Sequence, residues 1–227
     1  MKAIFLHLRS DFAHWRNPFS ISVLETFLAP QKTTVLGIVG ALAGLGESEI
    51  EELQSKIKVG IKIKKIESIC MDIVRLVNLK EGKSTLTPTA RQLLFRPEYE
   101  IVIIGSEKTI EELEKKVKKY VFPAYAGISE LLGEVSVNIV KDNTMHIERG
   151  KNVGFINTSI PYKNEHYSWD KVSSLVIPPR VFKKTISFYK NRKRREFLDI
   201  IEGYGVKIIP SWEVEFLVYN NEFFPVF

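Results

Sequence analysis

Arg9, His14, Trp15 and Arg16 fall close together near the start of the chain, and Lys32-Thr33-Thr34 stands at the head of an apolar, glycine-containing run. Arginine grips a phosphate in bidentate fashion, an indole stacks on a base, and the open amides of a helix N-terminus hold an anion. These residue types suit a phosphate with a base stacked beside it. The alternatives stay open: Trp15 serves equally well as a core residue beside solvated arginines, and Thr33 and Thr34 as plain helix caps. A denser basic block runs from Arg180 to Arg195. It holds Arg180, Lys183, Lys184, Lys190, Arg192, Lys193, Arg194 and Arg195, interleaved with Phe182, Phe188 and Tyr189 and free of acidic residues. Cations neutralise phosphates and aromatics stack on bases, which is a nucleic-acid footprint; the alternative is a solvated lysine-rich face. Arg91 and Arg96 flank Gln92-Leu93-Leu94-Phe95 and can either reach phosphates or pair with Glu98 and Glu100. Tyr125 can stack or fill the core.

Other chemistries fit poorly. The phosphate-loop signature requires Gly-Lys-Ser/Thr after a spaced glycine, whereas Lys32-Thr33 precedes Gly37, Gly40 and Gly44, so nucleotide hydrolysis is not expected. The single cysteine, Cys70, forms no intrachain disulfide, and no cysteine–histidine cluster offers a metal site, so neither metal nor cofactor is expected. RNA cleavage without a metal needs a general acid and base near neutrality, usually histidine. Of His7, His14, His146 and His166, only His14 lies in the basic loop; His7 falls in a strand and reads as structural, and His166 as loop surface. No pair has dyad spacing, so a non-enzymatic protein is expected, with metal-independent endoribonuclease activity through His14 as the alternative.

Several elements must position these groups. Lys2–Leu8 reads as a strand and Thr33–Leu45 as a helix capped by threonine, whose glycines imply close approach to a sheet. Ser48 to Lys56 reads as a short helix capped by Ser48 with Glu51. Lys58–Lys64 alternates strictly, giving one apolar and one positively charged face. Ile69–Leu79 reads as an extension of that strand, Lys80-Glu81-Gly82-Lys83 as a polar turn, and Ser84 to Pro97 as the return limb of a protruding hairpin or arm. Tyr99–Ile104 is a strand. Thr109–Tyr120 is a surface helix with an Ile110, Leu113, Val117 stripe and pairs Glu111–Lys115, Glu112–Lys116 and Glu114–Lys118. Val135–Val140 is a strand. The order strand, helix, strand, arm, strand, helix, strand is the α+β, ferredoxin-like (RRM-like) arrangement with an insertion. It is assigned to residues 1–145. A smaller, mainly β region follows over 146–227, with strands at Val153–Ile156, Ser174–Ile177, Val206–Ile209 and Val214–Tyr219 and a hairpin turn at Asn220-Asn221.

The 227 residues suffice for one large domain or two small ones, and 44% apolar with 26% charged residues is ordinary for a globular protein. A formal net charge of +6 favours an anionic partner. The longest uncharged apolar run, Thr33 to Gly46, is too short to span a bilayer, no targeting signal is visible, and the lone cysteine fits a reducing, cytoplasmic setting. Abundant lysine, glutamate and isoleucine with scarce glutamine point to a thermophilic source.

Three segments carry a family resemblance. They are the opening strand and loop followed by Pro30-Gln31-Lys32-Thr33-Thr34-Val35-Leu36-Gly37-Ile38-Val39-Gly40-Ala41-Leu42-Ala43-Gly44; Pro88-Thr89-Ala90-Arg91-Gln92-Leu93-Leu94-Phe95-Arg96-Pro97-Glu98-Tyr99; and Phe122-Pro123-Ala124-Tyr125-Ala126-Gly127-Ile128-Ser129-Glu130. In order and spacing they resemble the Cas-five family of the RAMP superfamily, the CRISPR type I Cascade subunit that caps the crRNA 5′ handle, closest in flavour to subtypes I-A and I-B. The resemblance covers roughly the first 140 residues and is loose beyond. It implies an RRM-like core with a thumb hairpin, here at about 76–98. It also implies that the crRNA, a Cascade backbone subunit and the large subunit are partners, with target DNA a further one and no membrane. RNA contacts are then expected at Arg9, His14, Trp15, Arg16, Lys32, Thr33, Thr34, Arg91, Arg96, Tyr125, Lys190 and Arg192. Members that cleave precursor RNA have a lysine directly before a histidine; no Lys-His dipeptide occurs here.

Overall fold

The computed structural model describes residues 1–20, 22–80, 83–189 and 193–227, with the side chains of 78–80 and 83–85 left aside. The longer elements are numbered. β1 (Lys2–Arg9) leads through short paired segments to α1 (Lys32–Ala43) and α2 (Glu47–Leu53). β2 (Ile57–Lys65) follows, then β3 (Ser68–Lys80) and β4 (Lys83–Phe95), then β5 (Glu98–Gly105), α3 (Glu107–Val117) and β6 (Leu132–Lys141). One antiparallel sheet has the order β6, β1, β5, β2, with the short strand Ala124–Tyr125 added outside β6. With the β3–β4 excursion set aside, the strands lie fourth, first, third, second, the order of a split βαβ unit.

Alternation divides the sheet into two apolar faces. Ile4, Leu6, Leu8, Val59, Ile61, Ile63, Ile101 and Ile103 meet the helices, including the Ile110, Leu113, Val117 stripe of α3. Ala3, Phe5, Val102 and Ile104 face the other way and are covered by Met145, Leu217, Phe224 and Val226. Leu217 and Phe224 come from β9 (Val214–Tyr219) and β10 (Glu222–Pro225), two strands joined at Asn220 and Asn221, and Val226 follows directly after β10. Both asparagines are left-handed, with φ of 49° and 59°, as a tight hairpin turn requires. The C-terminal strands therefore pack directly on the first sheet. A further hairpin, β7 (Ile177–Tyr189) with β8 (Arg194–Tyr204), brings Phe188 and Tyr204 into the helical side of the core.

Several expectations are corrected by this packing. The charged face of β2 is no open stripe: Lys58 pairs with Glu215, Lys62 with Glu222 at 2.8 Å and Lys64 with Glu100 at 3.3 Å. The arm begins at Ser68 and ends at Phe95 rather than at about 76–98, because Ile69, Met71 and Ile73 pair with β4 instead of prolonging β2. Glu81 and Gly82 of its expected turn lie outside the described residues. α1 starts at Lys32 with Gln31 as its N-cap, not a threonine. The glycine at position 40 answers a helix rather than a sheet, since a Cβ there would come within 2.4 Å of the Ile50 side chain of α2. α2 is capped by Gly46, whose N–H donates to Glu49 at 2.9 Å, not by Ser48. On α3 only Glu114–Lys118 of the expected pairs forms, at 2.7 Å; Lys116 reaches Glu49 and Glu111 faces Lys2. His7 is half exposed beside Glu98 rather than buried.

Candidate nucleic-acid interface

One face of α1, made by Thr33, Thr34, Gly37, Ile38 and Ala41, forms the floor of a groove of about 760 Å³. The recurrence every three to four residues is that of a single helical face. Arg16 and Pro18 come from the segment before α1, Tyr125 and Gly127 from the loop after α3, and Thr185, Phe188 and Arg195 from the β7–β8 hairpin. No described residue lining the groove is acidic. The Gln31 side chain accepts no hydrogen bond from the α1 amides, and the first turn carries no carboxylate. The leading amides of α1 and its dipole thus open beside two exposed guanidinium groups, those of Arg16 and Arg195. Among the described residues neither arginine forms an ion pair.

A buried polar chain fixes the walls. Trp15 Nε1 donates to Tyr99 Oη at 2.8 Å, and Tyr99 Oη donates to the Leu28 carbonyl at 2.8 Å. Leu28 N donates to Glu202 Oε1 at 2.7 Å. Lys184 Nζ donates to the Ala29 carbonyl at 2.9 Å and to Glu202 Oε2. Lys184 and Glu202 are 1% and 0% exposed, so the pair lies closed off from bulk solvent and each charge depends on the other. Burial lowers the pKa of the Lys184 ammonium, which Glu202 opposes, and burial raises that of the Tyr99 phenol. Two glutamines dock β7 on the helices. Gln31 Oε1 accepts from Thr185 N at 2.7 Å, and the Gln54 amide bonds both backbone groups of Phe188, at 2.6 and 3.0 Å. Gly127, at φ 102°, lies so close to the His14 carbonyl that a Cβ would stand 1.9 Å from its oxygen.

Of the residues expected to meet RNA, the groove gathers Arg16, Thr33, Thr34 and Tyr125. The other described ones go elsewhere. Trp15 is 1% exposed, with its ring edge-on to Tyr99, and has no face to offer a base. His14 is 2% exposed, and its Nδ1 lies 2.8 Å from the Gln92 carbonyl; burial lowers its pKa. Lys32 is buried away from the groove, its pKa lowered by desolvation and by Lys58. Arg9 pairs with Glu134, Arg91 with Asp72 at 2.7 Å and Glu130 at 3.3 Å, and Arg96 with Glu67 at 3.6 Å. Those three arginines thus lie in ion pairs at the sheet end and on the arm. Lys190 and Arg192 lie outside the described residues. Arg195 and Phe188 join the site from the basic block, and Thr185 and Gln31 join it unexpectedly.

Gly37 makes a separate point. A Cβ at this position would meet nothing within 4 Å, so no packing contact returns the helix stability that glycine forfeits. Gly37→Ala should therefore stabilise the fold by roughly 0.5–1 kcal/mol, a rise of about 1–4 °C in Tm for a chain of this size. Differential scanning fluorimetry checks this, and a fall in Tm would mean that the groove floor is filled.

Comparison with known proteins bears on this arrangement. A family model described as CRISPR-associated protein (Cas_Cas5) matches residues 3–195. No curated protein matches the sequence significantly. Among solved structures, a chain of a CRISPR RNA-guided surveillance complex is similar at 12% identity with a TM-score of 0.54, over 94% of this chain and 91% of the other. A CRISPR protein from Archaeoglobus fulgidus is similar at 13% identity with a TM-score of 0.53, over 100% and 98%. At these identities the likeness is one of fold.

Proposed function

The chain belongs to the CRISPR-associated (Cas_Cas5) family, and from that premise we propose that it is the RNA-binding subunit of a type I surveillance complex, holding the 5′ handle of the crRNA without cutting it. The observation that carries this reading is the acid-free groove where Arg16, Arg195 and the uncapped head of α1 converge beside the exposed Tyr125 ring. The end of a single strand needs phosphate clamps, a stacking face and base-edge contacts more than a helix that reads a duplex groove. In this reading the two guanidinium groups and the α1 amides take phosphate oxygens. The Tyr125 ring takes a base, and the apolar floor at Gly37, Ile38 and Ala41 lets the ribose approach. The β3–β4 arm, which carries exposed Met71, Ile73 and Leu86, is the part that meets the neighbouring backbone subunit. The large subunit and target DNA are its further neighbours.

The non-cleaving half of the proposal rests on His14. Its imidazole is shut off from solvent with Nδ1 against a backbone carbonyl, and its lowered pKa keeps it neutral at pH 7. Such a ring neither reaches an RNA 2′-hydroxyl nor shuttles a proton to a leaving group. No described group of histidines, cysteines and carboxylates is placed to hold a metal ion, and no described helix is long and apolar enough to cross a membrane.

Fluorescence anisotropy with the repeat-derived 5′ handle RNA and a scrambled RNA of equal length tests the reading. Tighter, salt-sensitive binding of the handle is expected, with intact RNA on a denaturing gel after long incubation in EDTA at elevated temperature. Equal affinity for the scrambled strand would remove handle recognition. Shortened RNA, abolished by His14→Ala, would establish the endoribonuclease alternative instead.

A further inference from the structure

Two aromatic rings that neighbour groove-lining residues in sequence have no part in the polar chain or the core. Phe19 follows groove-lining Pro18 in the turn from Asn17 to Ser20, and Phe197 lies two residues beyond Arg195 on β8. Strand alternation puts Arg195 and Phe197 on one face of β8, about 6.6 Å apart along the strand. The two ring centroids are 5.5 Å apart, with planes tilted by 57°. Phe19 remains 53% exposed and Phe197 42%, and neither packs against a core cluster.

The pair does little for the fold that other contacts do not already do. The turn is tied by Asn17 N to the Glu25 carbonyl at 2.9 Å, Phe19 N to Asn17 Oδ1 at 3.1 Å and Ser20 Oγ to the Asn17 carbonyl at 2.9 Å. The nearby Glu25 carboxylate accepts from Asn17 Nδ2 at 3.1 Å. Two half-exposed phenylalanines beside an exposed guanidinium are the parts of a single-strand site, in which every base offers a π-face and the cation takes the phosphate.

On the RNA reading of the groove, we propose that Phe19 and Phe197 form a base-stacking subsite at its rim. One unpaired base of the bound strand lies on the pair while Arg195 holds the adjoining phosphate. The ligand is a single-stranded nucleotide, accepted at this position without preference for its base edge.

The experiment uses the full chain and handle RNA carrying 2-aminopurine at one position at a time. With the wild type, one position should show fluorescence quenched on binding. Phe19→Leu and Phe197→Leu, which keep an apolar contact but lose the ring, should each remove that quench and weaken binding about fivefold to a hundredfold. Phe197→Trp should restore both, and Arg16→Ala should weaken binding while leaving the quench in place. Wild-type binding with no position quenched, or leucine variants that quench and bind like the wild type, overturns the subsite and leaves the groove reading standing. No binding by the wild type overturns the groove reading itself. Thermal melting of each variant separates lost stacking from lost folding, and two independent positions keep the test decisive if one variant fails to fold.

Discussion

Lys184→Met should lower the melting temperature by roughly 6–20 °C, the equivalent of about 3–5 kcal/mol in a chain of this size. Methionine matches the length of the lysine stem, so little volume is lost. What is lost is the counter-charge of Glu202, which is 0% exposed and keeps only the Leu28 N–H at 2.7 Å and the Ser159 hydroxyl at 3.4 Å. The Ala29 carbonyl loses its donor at the same time. An uncompensated buried carboxylate is far costlier than an apolar pair of the same shape. The double variant Lys184→Met/Glu202→Gln should therefore recover a good part of the loss, because the amide oxygen still accepts from Leu28 N without bringing a charge. Differential scanning fluorimetry of the two variants decides the matter. A single variant as stable as the wild type would mean that water reaches the pair.

The second large effect follows from the proposed RNA reading of the groove. Replacing Arg16 and Arg195 together by alanine should weaken handle binding more than about a hundredfold, from the loss of two charge-assisted contacts. The slope of log affinity against log salt should fall by about 1.4, roughly 0.7 for each phosphate no longer neutralised on a single strand. Both side chains are exposed and outside any described ion pair, so Tm should stay near the wild-type value. Anisotropy titrations at several KCl concentrations measure affinity and slope together. An unchanged slope would place the phosphates elsewhere on the molecule.

Much of the central sheet was legible in the sequence because each signal was local. The strict alternation of Val59, Ile61 and Ile63 and the stripe of Ile110, Leu113 and Val117 return as buried residues in the same core. The Asn220-Asn221 turn likewise depends only on its own backbone. The groove was legible in part. Arg16, Thr33, Thr34 and Tyr125 lie near one another through segments that read clearly, whereas the opposite wall arrives from the β7–β8 hairpin, far along the chain. Trp15 shows why residue type misleads: an indole beside arginines serves a base or a tyrosine equally well, and only the position of Tyr99 decides between them. Lys184 looked like one more cation in a basic block. Its strand parity turns it inward while Lys183 stays in solvent. The cue to that inward turn was its partner, a lone carboxylate at Glu202 within the stretch Ile200 to Tyr204.

The long reach of the Glu202 and Lys184 contacts has a consequence for biogenesis. Leu28 and Glu202 are 174 positions apart and Ala29 and Lys184 are 155, yet they join the segment leading into α1 to the hairpin that closes the groove. During translation the first wall leaves the ribosome long before the second exists. A nascent polypeptide therefore lacks the second wall of the groove until the β7–β8 hairpin has been made.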